Sequence, residues 1–194
     1  MVEAQLVRVH LSRMMRQALP EVLRNRHLKE QPRDLRATIH VPDIVVNDYL
    51  YQLVPYYPRP AAGGPAGRRF SQRYGLIGRA WRLQQSKGQG EAVHGADTAT
   101  QLIERWGMTA EEAADGSHLA PAILCVMLRD PDAAHVPIGL LYIDSTEANV
   151  FSPMNGDDVA VELENHQLTN ALAAAVANAM RPLRLGPPGV QISS

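Results

Sequence analysis

The sequence predicts an α+β fold: a central antiparallel sheet with helices on both faces and with the N- and C-terminal helices packed together. Residues 122–128 and 136–144 are two apolar runs, too apolar for edge strands, and they predict an antiparallel pair in the middle of the sheet. The elements follow in the order helix, two strands, helices, two strands, helix. This order is typical of an antiparallel sheet covered by helices.

Composition restricts the classes of protein that fit. The chain has 194 residues, 45% of them hydrophobic, and a formal net charge of −1, which indicates one globular domain without a global attraction to nucleic acid. Cys125 is the single cysteine, so no intramolecular disulfide can form, and we expect a cytoplasmic protein. No run of 18 apolar residues is present, so we expect no membrane span.

Residues 3–28 predict an amphipathic helix. Its apolar residues follow a heptad seam at Ala4, Val7, Leu11, Met14 and Ala18. Pro20, which follows the seam, is expected to kink the helix or to start a second one. Two interpretations fit the seam: a helix that packs on its own domain, or a dimerisation and signalling helix.

The first strand is predicted at residues 35–41, where apolar and polar residues alternate among β-formers. Residues 49–57 predict its hairpin partner, and Pro55 indicates an edge position or a late bulge. Residues 58–67 predict a loop from their proline and glycine content.

The middle of the chain predicts helices at residues 76–85 and 98–106, separated by a break at 88–90. A capping box at Thr109 and Glu112 predicts another helix start.

An alanine-rich helix, entered from residues 155–164, is predicted to run to about Met180 and to be ended by the prolines from Pro182 on. We therefore expect a helix at 1–30, one domain at 31–183 and a disordered tail at 184–194.

Charge is unevenly distributed along the chain. Residues 59–89 carry seven basic side chains and no acid, whereas residues 91–165 carry fourteen acids and two arginines. Either the two segments neutralise each other in the fold or across a dimer, or the arginine-rich segment faces an anionic ligand or partner.

Three motifs, in this order and spacing, resemble the GAF domain, a small sensory module, over roughly residues 35–181. A Gly-x-x-Gly-x-Ala segment opens the predicted helix, a Ser-x-Leu-x-Val-Pro pattern is matched loosely, and a strand of the type Ile-Gly-Leu-Leu-x-Ile-Asp follows. The matching residues are Gly75, Gly78 and Ala80; Ser117, Leu119 and Pro121; and Ile138, Gly139, Leu140, Leu141, Ile143 and Asp144.

The resemblance implies a profilin-like antiparallel sheet with a pocket between the sheet and the helices above it. Members of the family bind cyclic nucleotides, bilins, haem or other small molecules, and many serve as dimerisation or relay units. The signature of the cyclic-nucleotide-binding members is absent. The sulfoxide reductase branch needs several cysteines, whereas this chain has only Cys125. Cys125 lies in a predicted core strand rather than where a bilin would attach. No cofactor is identified.

One group of residues has the character of a binding site, because arginine offers paired donors to an anion and aromatic rings stack on planar groups. These ligand-binding candidates are Arg69, Phe70, Tyr74, Arg79, Trp81, Tyr142 and Asp144. Trp81 also fits a core position under the helix. Asp144 fits either a pocket residue or, preferably, the cap of the following turn.

The sequence favours a regulatory sensory domain that dimerises through its terminal helices and binds a small anionic or planar ligand. An output domain or a partner protein would receive the signal. The alternative is a structural interaction module with a filled pocket. A redox enzyme using Cys125 is the weakest hypothesis, since a buried thiol is inert. We expect no catalytic residues, and no metal, because the seven histidines lack ligand spacing.

Overall fold

The fold was taken from a computed structural model, which describes residues 2–25, 35–58, 66–89, 100, 102–104, 109–114, 122–147, 150–151 and 155–184. In chain order the helices are α1 (Val2–Asn25), α2 (Gly75–Leu83), α3 (Ala110–Ala114), α4 (Gly156–Glu164) and α5 (Gln167–Arg184). The strands are β1 (Arg36–Pro42), β2 (Tyr49–Gln52), β3 (Arg69–Ser71), β4 (Lys87–Gln89), β5 (Ala122–Asp130) and β6 (Ala133–Ser145).

The six strands form one antiparallel sheet in the order β3-β2-β1-β6-β5-β4. The long pair β5 and β6 lies in the interior of the sheet, with Cys125 opposite Tyr142, as the two apolar runs predicted. β1 pairs with β6 on its other side, with His40 opposite Leu140. The α+β fold and its antiparallel sheet are confirmed.

The hairpin partner of β1 is interrupted near Pro55, which confirms the predicted bulge. Regular pairing ends at His40 opposite Gln52, and contact resumes where Ala37 and Tyr57 exchange backbone hydrogen bonds of 2.7 and 2.8 Å. The freed carbonyl of Val54 accepts a hydrogen bond from the Thr38 hydroxyl. The interruption therefore leaves this backbone group satisfied.

Each face of the sheet has its own apolar core. One face, here called the terminal-helix face, is covered by α1, α4 and α5, and Leu11, Met15 and Leu172 are buried there. The N- and C-terminal helices contact each other, as predicted. On the other face, here called the α2 face, Leu76 and Ile77 of α2 pack against β5 and β6. The glycine-rich segment therefore lies on the sheet that contains the late Ile-Gly-Leu-Leu strand.

Gly75, the first residue of α2, has φ of +71°. A residue with a side chain adopts this conformation rarely, so the glycine lets the chain turn from β3 into the helix.

Three boundaries differ from the prediction. α1 runs through Pro20 as one helix, and α5 runs through Pro182 to Arg184. The last helical segment is divided at Asn165 and His166, so that α4 and α5 are separate helices. α1 and α5 pack against each other, and tertiary packing can hold a helix across positions where local propensity predicts an end. Residues 185–194 of the predicted tail and residues 59–65 of the predicted loop lie outside the described residues.

The predicted break around Gly88 was wrong: this segment is the edge strand β4, paired with β5. The glycine is required for close approach, because a Cβ at position 88 would lie deep inside the van der Waals radius of the Gly156 carbonyl oxygen. The backbone N–H of Gly88 also donates to Asp157 Oδ1 at 2.8 Å. Gly88 therefore docks the edge strand on the start of α4.

Replacing Gly88 with alanine is expected to lower the free energy of unfolding by about 1–3 kcal/mol, because the new methyl group forces β4 and α4 apart. Urea unfolding followed by circular dichroism measures this effect. The matched control is Gln85→Ala at an exposed side chain two residues outside the strand. An unfolding midpoint for Gly88→Ala equal to that of the control would contradict the close contact.

Candidate functional site

The alternation of β1 places polar side chains on the α2 face. Ala37, Ile39 and Val41 belong to the core of the terminal-helix face. Successive residues of a strand point to opposite faces, so Thr38 and His40 lie on the other side. Both are fully buried. These two buried polar side chains in the middle of the sheet form the centre of the candidate site.

His40 is buried, and its imidazole makes no hydrogen bond to the residues that the structure describes. Its imidazole meets the rings of Phe70 and Tyr142 edge-on, with centroid distances of 4.6 and 5.6 Å. Neither Nδ1 nor Nε2 has a hydrogen-bond partner among the described residues. Burial, and secondarily the positive charge of Arg68, lowers the pKa of His40 to about 3. The imidazole is therefore neutral at physiological pH.

Arg68 supplies a positive charge close to His40. Its Nε donates to Gln52 Oε1 at 3.0 Å, and its guanidinium lies 5.4 Å from the ring centroid of Tyr56 and 5.6 Å from that of Phe70. Within the described part of the chain, no carboxylate lies within ion-pair distance of Arg68. Its described partners are all neutral: the amide of Gln52, the hydroxyl of Tyr56 and the aromatic faces of Tyr56 and Phe70.

The amide of Gln52 holds Arg68 in register with the sheet. Gln52 Nε2 donates to the Val54 carbonyl at 3.2 Å and to the Thr38 hydroxyl at 3.3 Å, while its Oε1 accepts from Arg68. We refer to the residues around this network on the α2 face as the His40 cluster. Its members are Thr38, His40, Gln52, Tyr56, Arg68, Phe70 and Tyr142.

The ion pair of Arg36 with Asp144 forms one border of the cluster. Arg36 donates through Nε and Nη2 to the two oxygens of Asp144, each at 2.8 Å, and its guanidinium lies 4.8 Å from the Tyr56 ring centroid. The hydrogen bond to Asp144 raises the pKa of Arg36. Asp144, which the sequence preferentially indicated as a turn cap, is held in this pair. The hydroxyl of the next residue, Ser145, accepts a hydrogen bond from the N–H of Glu147.

Of the predicted ligand residues, Phe70 and Tyr142 lie in the His40 cluster and Asp144 lies at its border. Arg69 does not. It stands opposite Tyr51, which packs on the terminal-helix face, and it donates to Asp43 Oδ2 at 2.5 Å. Neighbouring residues of a strand alternate in direction, so the arginine on the cluster's side is Arg68.

The other three candidates lie on or beside α2. Trp81 is half-buried against the core of the α2 face, in agreement with the alternative that it packs under the helix. Tyr74 is the residue before the helix, and its carbonyl accepts from the N–H of Gly78 at 3.1 Å. Arg79 is half-buried and is not among the α2 residues that enter the core. A ligand role for all seven candidates stays a prediction.

Cys125 is fully buried on the α2 face, and burial raises the pKa of its thiol. A thiol in this environment stays protonated and is a poor nucleophile. Among the described residues, no group of three histidine, cysteine, aspartate or glutamate side chains is arranged to hold a metal ion.

A second polar group, here called the Glu164 node, connects the two faces around the β4 edge. Glu164, at the end of α4, accepts from Ser86 at 2.5 Å and from Arg129 at 2.5 Å. Arg129 also donates to the carbonyl of Gln84 just after α2, and Ser86 accepts from the N–H of Met127 in β5. The node therefore joins the end of α2 to the corner between α4 and α5.

His40 and Arg68 were not among the site residues predicted from the sequence. A histidine in the middle of a predicted strand, on the side opposite Ala37, Ile39 and Val41, was a usable signal. Arg68 was not distinguished from its neighbour Arg69 in the sequence. A shift of one residue in strand register exchanges the faces on which the two side chains lie.

Among the described residues, no helix combines the length and apolar character needed to cross a membrane. No protein-family model and no curated protein matches the chain.

Solved structures provide the comparison. The chain is similar to the GAF domain region of a protein from Geobacter sulfurreducens PCA, with 17% identity, a TM-score of 0.51 and coverage of 91% of this chain and 97% of that one. It is also similar to residues 122 to 287 of a methyl-accepting chemotaxis protein, with 15% identity, a TM-score of 0.51 and coverage of 94% and 91%. A type II free methionine-R-sulfoxide reductase from Thermoplasma acidophilum matches with 14% identity, a TM-score of 0.46 and coverage of 87% and 96%. From its sheet order and its likeness to the first two of these structures, the chain has the fold of a GAF domain.

Proposed function

We propose that this chain is a regulatory sensory domain. A small molecule binds on the α2 face at the His40 cluster, and the occupied state is passed to the paired helices α1 and α5. The observation that carries the proposal is the buried imidazole of His40 among aromatic rings, where neither nitrogen makes a hydrogen bond to any residue that the structure describes. Buried polar groups are nearly always paired in proteins, so an unpaired one beside an arginine favours a ligand site.

A route between the two faces supports the relay. The Glu164 node joins the chain after α2 to the end of α4, and α5 begins only three residues beyond Glu164. A shift of α2 on ligand binding would therefore change the hydrogen bonds that position the start of α5. Binding acts in such a system by favouring one of two arrangements over the other.

The outer side of α1 supports dimerisation. Leu11 of the predicted seam packs on its own domain, whereas Leu6 and Val9 are 63% and 61% exposed. Apolar side chains on the outside of a terminal helix fit a symmetric contact with a second copy, which buries the same patch on both partners. The proposed output is an attached domain or a partner protein that reads this helix pair. A cytoplasmic location stays a prediction.

One observation favours the alternative of a structural interaction module. His40 meets the rings of Phe70 and Tyr142 edge-on, and Tyr142 in turn meets the ring of Tyr56 edge-on, so aromatic packing occupies much of the cluster. Burial of Cys125 raises the pKa of its thiol and keeps it protonated, which disfavours the single-thiol redox hypothesis.

Sedimentation velocity of the purified chain at micromolar concentrations tests the relay. We expect a dimer whose dissociation constant rises in the variant Leu6→Glu/Val9→Glu, because the new charges oppose burial of this face. The matched control is Arg13→Glu, another exposed position on α1 that changes charge without removing an apolar side chain. Wild-type chain that sediments only as a monomer would remove the relay from the proposal.

A further inference from the structure

We propose that the ligand of the His40 cluster is a small planar carboxylate whose anionic group is held between Arg68 and His40. This inference rests on the proposed function and names the chemical class of the molecule sensed. It follows from three properties of the cluster: the hydrogen-bonding capacity that is unused, the charge that is not neutralised, and the shape of the aromatic surroundings.

The unused hydrogen-bonding capacity belongs to His40. A neutral imidazole has one N–H donor and one nitrogen acceptor, and both lack a described partner. The other polar side chains at the centre are already paired: Thr38 with Val54 O, and Gln52 with Thr38, Val54 O and Arg68. A ligand oxygen therefore finds its free donor at His40.

The charge selects the sign of the ligand. Of the two arginines that lie against the Tyr56 ring, Arg36 is paired with Asp144 through two hydrogen bonds. Arg68 has no carboxylate within ion-pair distance among the described residues. The cluster thus keeps one positive charge, which attracts an anion and repels a cation.

The geometry of the groups selects a carboxylate with a flat body. A guanidinium presents paired N–H donors that match the two oxygens of a carboxylate. Phe70, Tyr56 and Tyr142 provide the faces and edges on which a planar group packs. Aliphatic anions of the same charge lack this second contact.

Access is from the β3 edge of the sheet. Arg68 is exposed and Phe70 is only half-buried, and both stand over His40 from this edge. In this proposal the two side chains rotate to admit the ligand to the imidazole, and the strands keep their positions. In the ligand-bound form the Arg68 guanidinium would leave the ring of Phe70 and pair with the carboxylate.

The site predicts a link between binding and protons. The charged or titratable groups that face His40 are Arg68 from the segment before β3 and Tyr142 from β6. Burial raises the pKa of Tyr142 far above its ordinary value, so this hydroxyl stays neutral. A bound carboxylate offsets the field of Arg68 and favours the imidazolium, so the pKa of His40 should rise on binding, and affinity should increase as the pH falls through that raised pKa.

Nuclear magnetic resonance of protein with isotope-labelled histidine tests the inference, with benzoate as the probe. We expect saturable binding that shifts the His40 ring signals and raises the pKa of this imidazole. Benzamide, the neutral molecule of the same shape, should bind at least about tenfold more weakly. A tenfold difference in affinity corresponds to only about 1.4 kcal/mol of binding free energy. Inorganic phosphate, which lacks a planar body, should also bind more weakly.

The variants separate the roles of the two residues. Arg68→Gln should weaken benzoate binding about tenfold or more, whereas Arg13→Gln, an exposed arginine on α1, should leave it unchanged. His40→Phe should abolish binding while preserving the aromatic packing. Arg68 is at the surface, so its variant tests the inference even if the buried substitution unfolds the chain.

Equal affinities for benzoate and benzamide, an Arg68→Gln variant that binds as wild type does, or no saturable binding of benzoate would each overturn the inference. The proposed function fails on other evidence, namely a monomeric chain that retains no small molecule of any class. A retained neutral molecule in a dimeric protein would therefore sink the carboxylate assignment and leave the sensory function standing.

Discussion

Lowering the pH from 6.5 towards 3 is expected to reduce the free energy of unfolding by up to about 4–5 kcal/mol through His40 alone. In the unfolded chain the imidazole gains a proton near its ordinary pKa of 6.5, whereas in the folded chain burial lowers this pKa to about 3. The unfolded state thus binds more protons throughout this window. The stabilisation is fully present above 6.5 and is lost as the pH approaches 3.

The measurement is a series of urea unfolding curves at successive pH values, for wild type and for His40→Phe. The difference between the two profiles isolates His40 from carboxylates such as Asp43, whose pKa is lowered chiefly by hydrogen bonds from the backbone N–H of Val45. We expect the difference to change by about 1.4 kcal/mol per pH unit in the middle of the window. Parallel profiles would mean that His40 is not a buried neutral imidazole.

Removing the guanidinium of Arg36 is expected to produce the second large effect. The variant Arg36→Met should lower the free energy of unfolding by about 2–4 kcal/mol, because it leaves the carboxylate of Asp144 buried without its arginine. The side chain of Asp144 is 4% exposed and that of Arg36 is 33% exposed. This partial exposure places the expected cost below that of a fully buried pair.

The double variant Arg36→Met/Asp144→Leu serves as the control for desolvation. Replacing both partners removes the stranded charge, so this variant should recover much of the lost stability. Arg13→Met, at an exposed arginine of α1, should change the free energy of unfolding by less than about 0.5 kcal/mol. If the double variant had a lower free energy of unfolding than Arg36→Met, the instability of Arg36→Met could not be attributed to the buried carboxylate of Asp144.

The centre of the sheet was predictable because burial on both faces leaves a continuous apolar run in the sequence. That signal identified β5 and β6, and the motif of Gly75, Gly78 and Ala80 identified α2. The edge strands β3 and β4 are three residues each, too short for a pattern, and their pairing is decided by tertiary contacts such as that of Gly88 with Gly156.

The candidate site was only partly predictable, for a related reason. Alternation along β1 separates Thr38 and His40 from Ile39, but it does not say which side meets α2. The aromatic residues Phe70 and Tyr142 were found from their chemistry. Arg68 was not found, because the choice between Arg68 and Arg69 depends on a strand register that only the pairing with β2 fixes.

Native mass spectrometry of freshly purified protein tests most directly whether the His40 cluster is a ligand site coupled to a helix-paired dimer. We expect the wild-type chain as a dimer whose mass exceeds that of two polypeptides by a small molecule, which is released on denaturation. The variant His40→Phe should retain less of that molecule at the same purity. A wild-type spectrum containing only bare monomeric polypeptide would contradict the account.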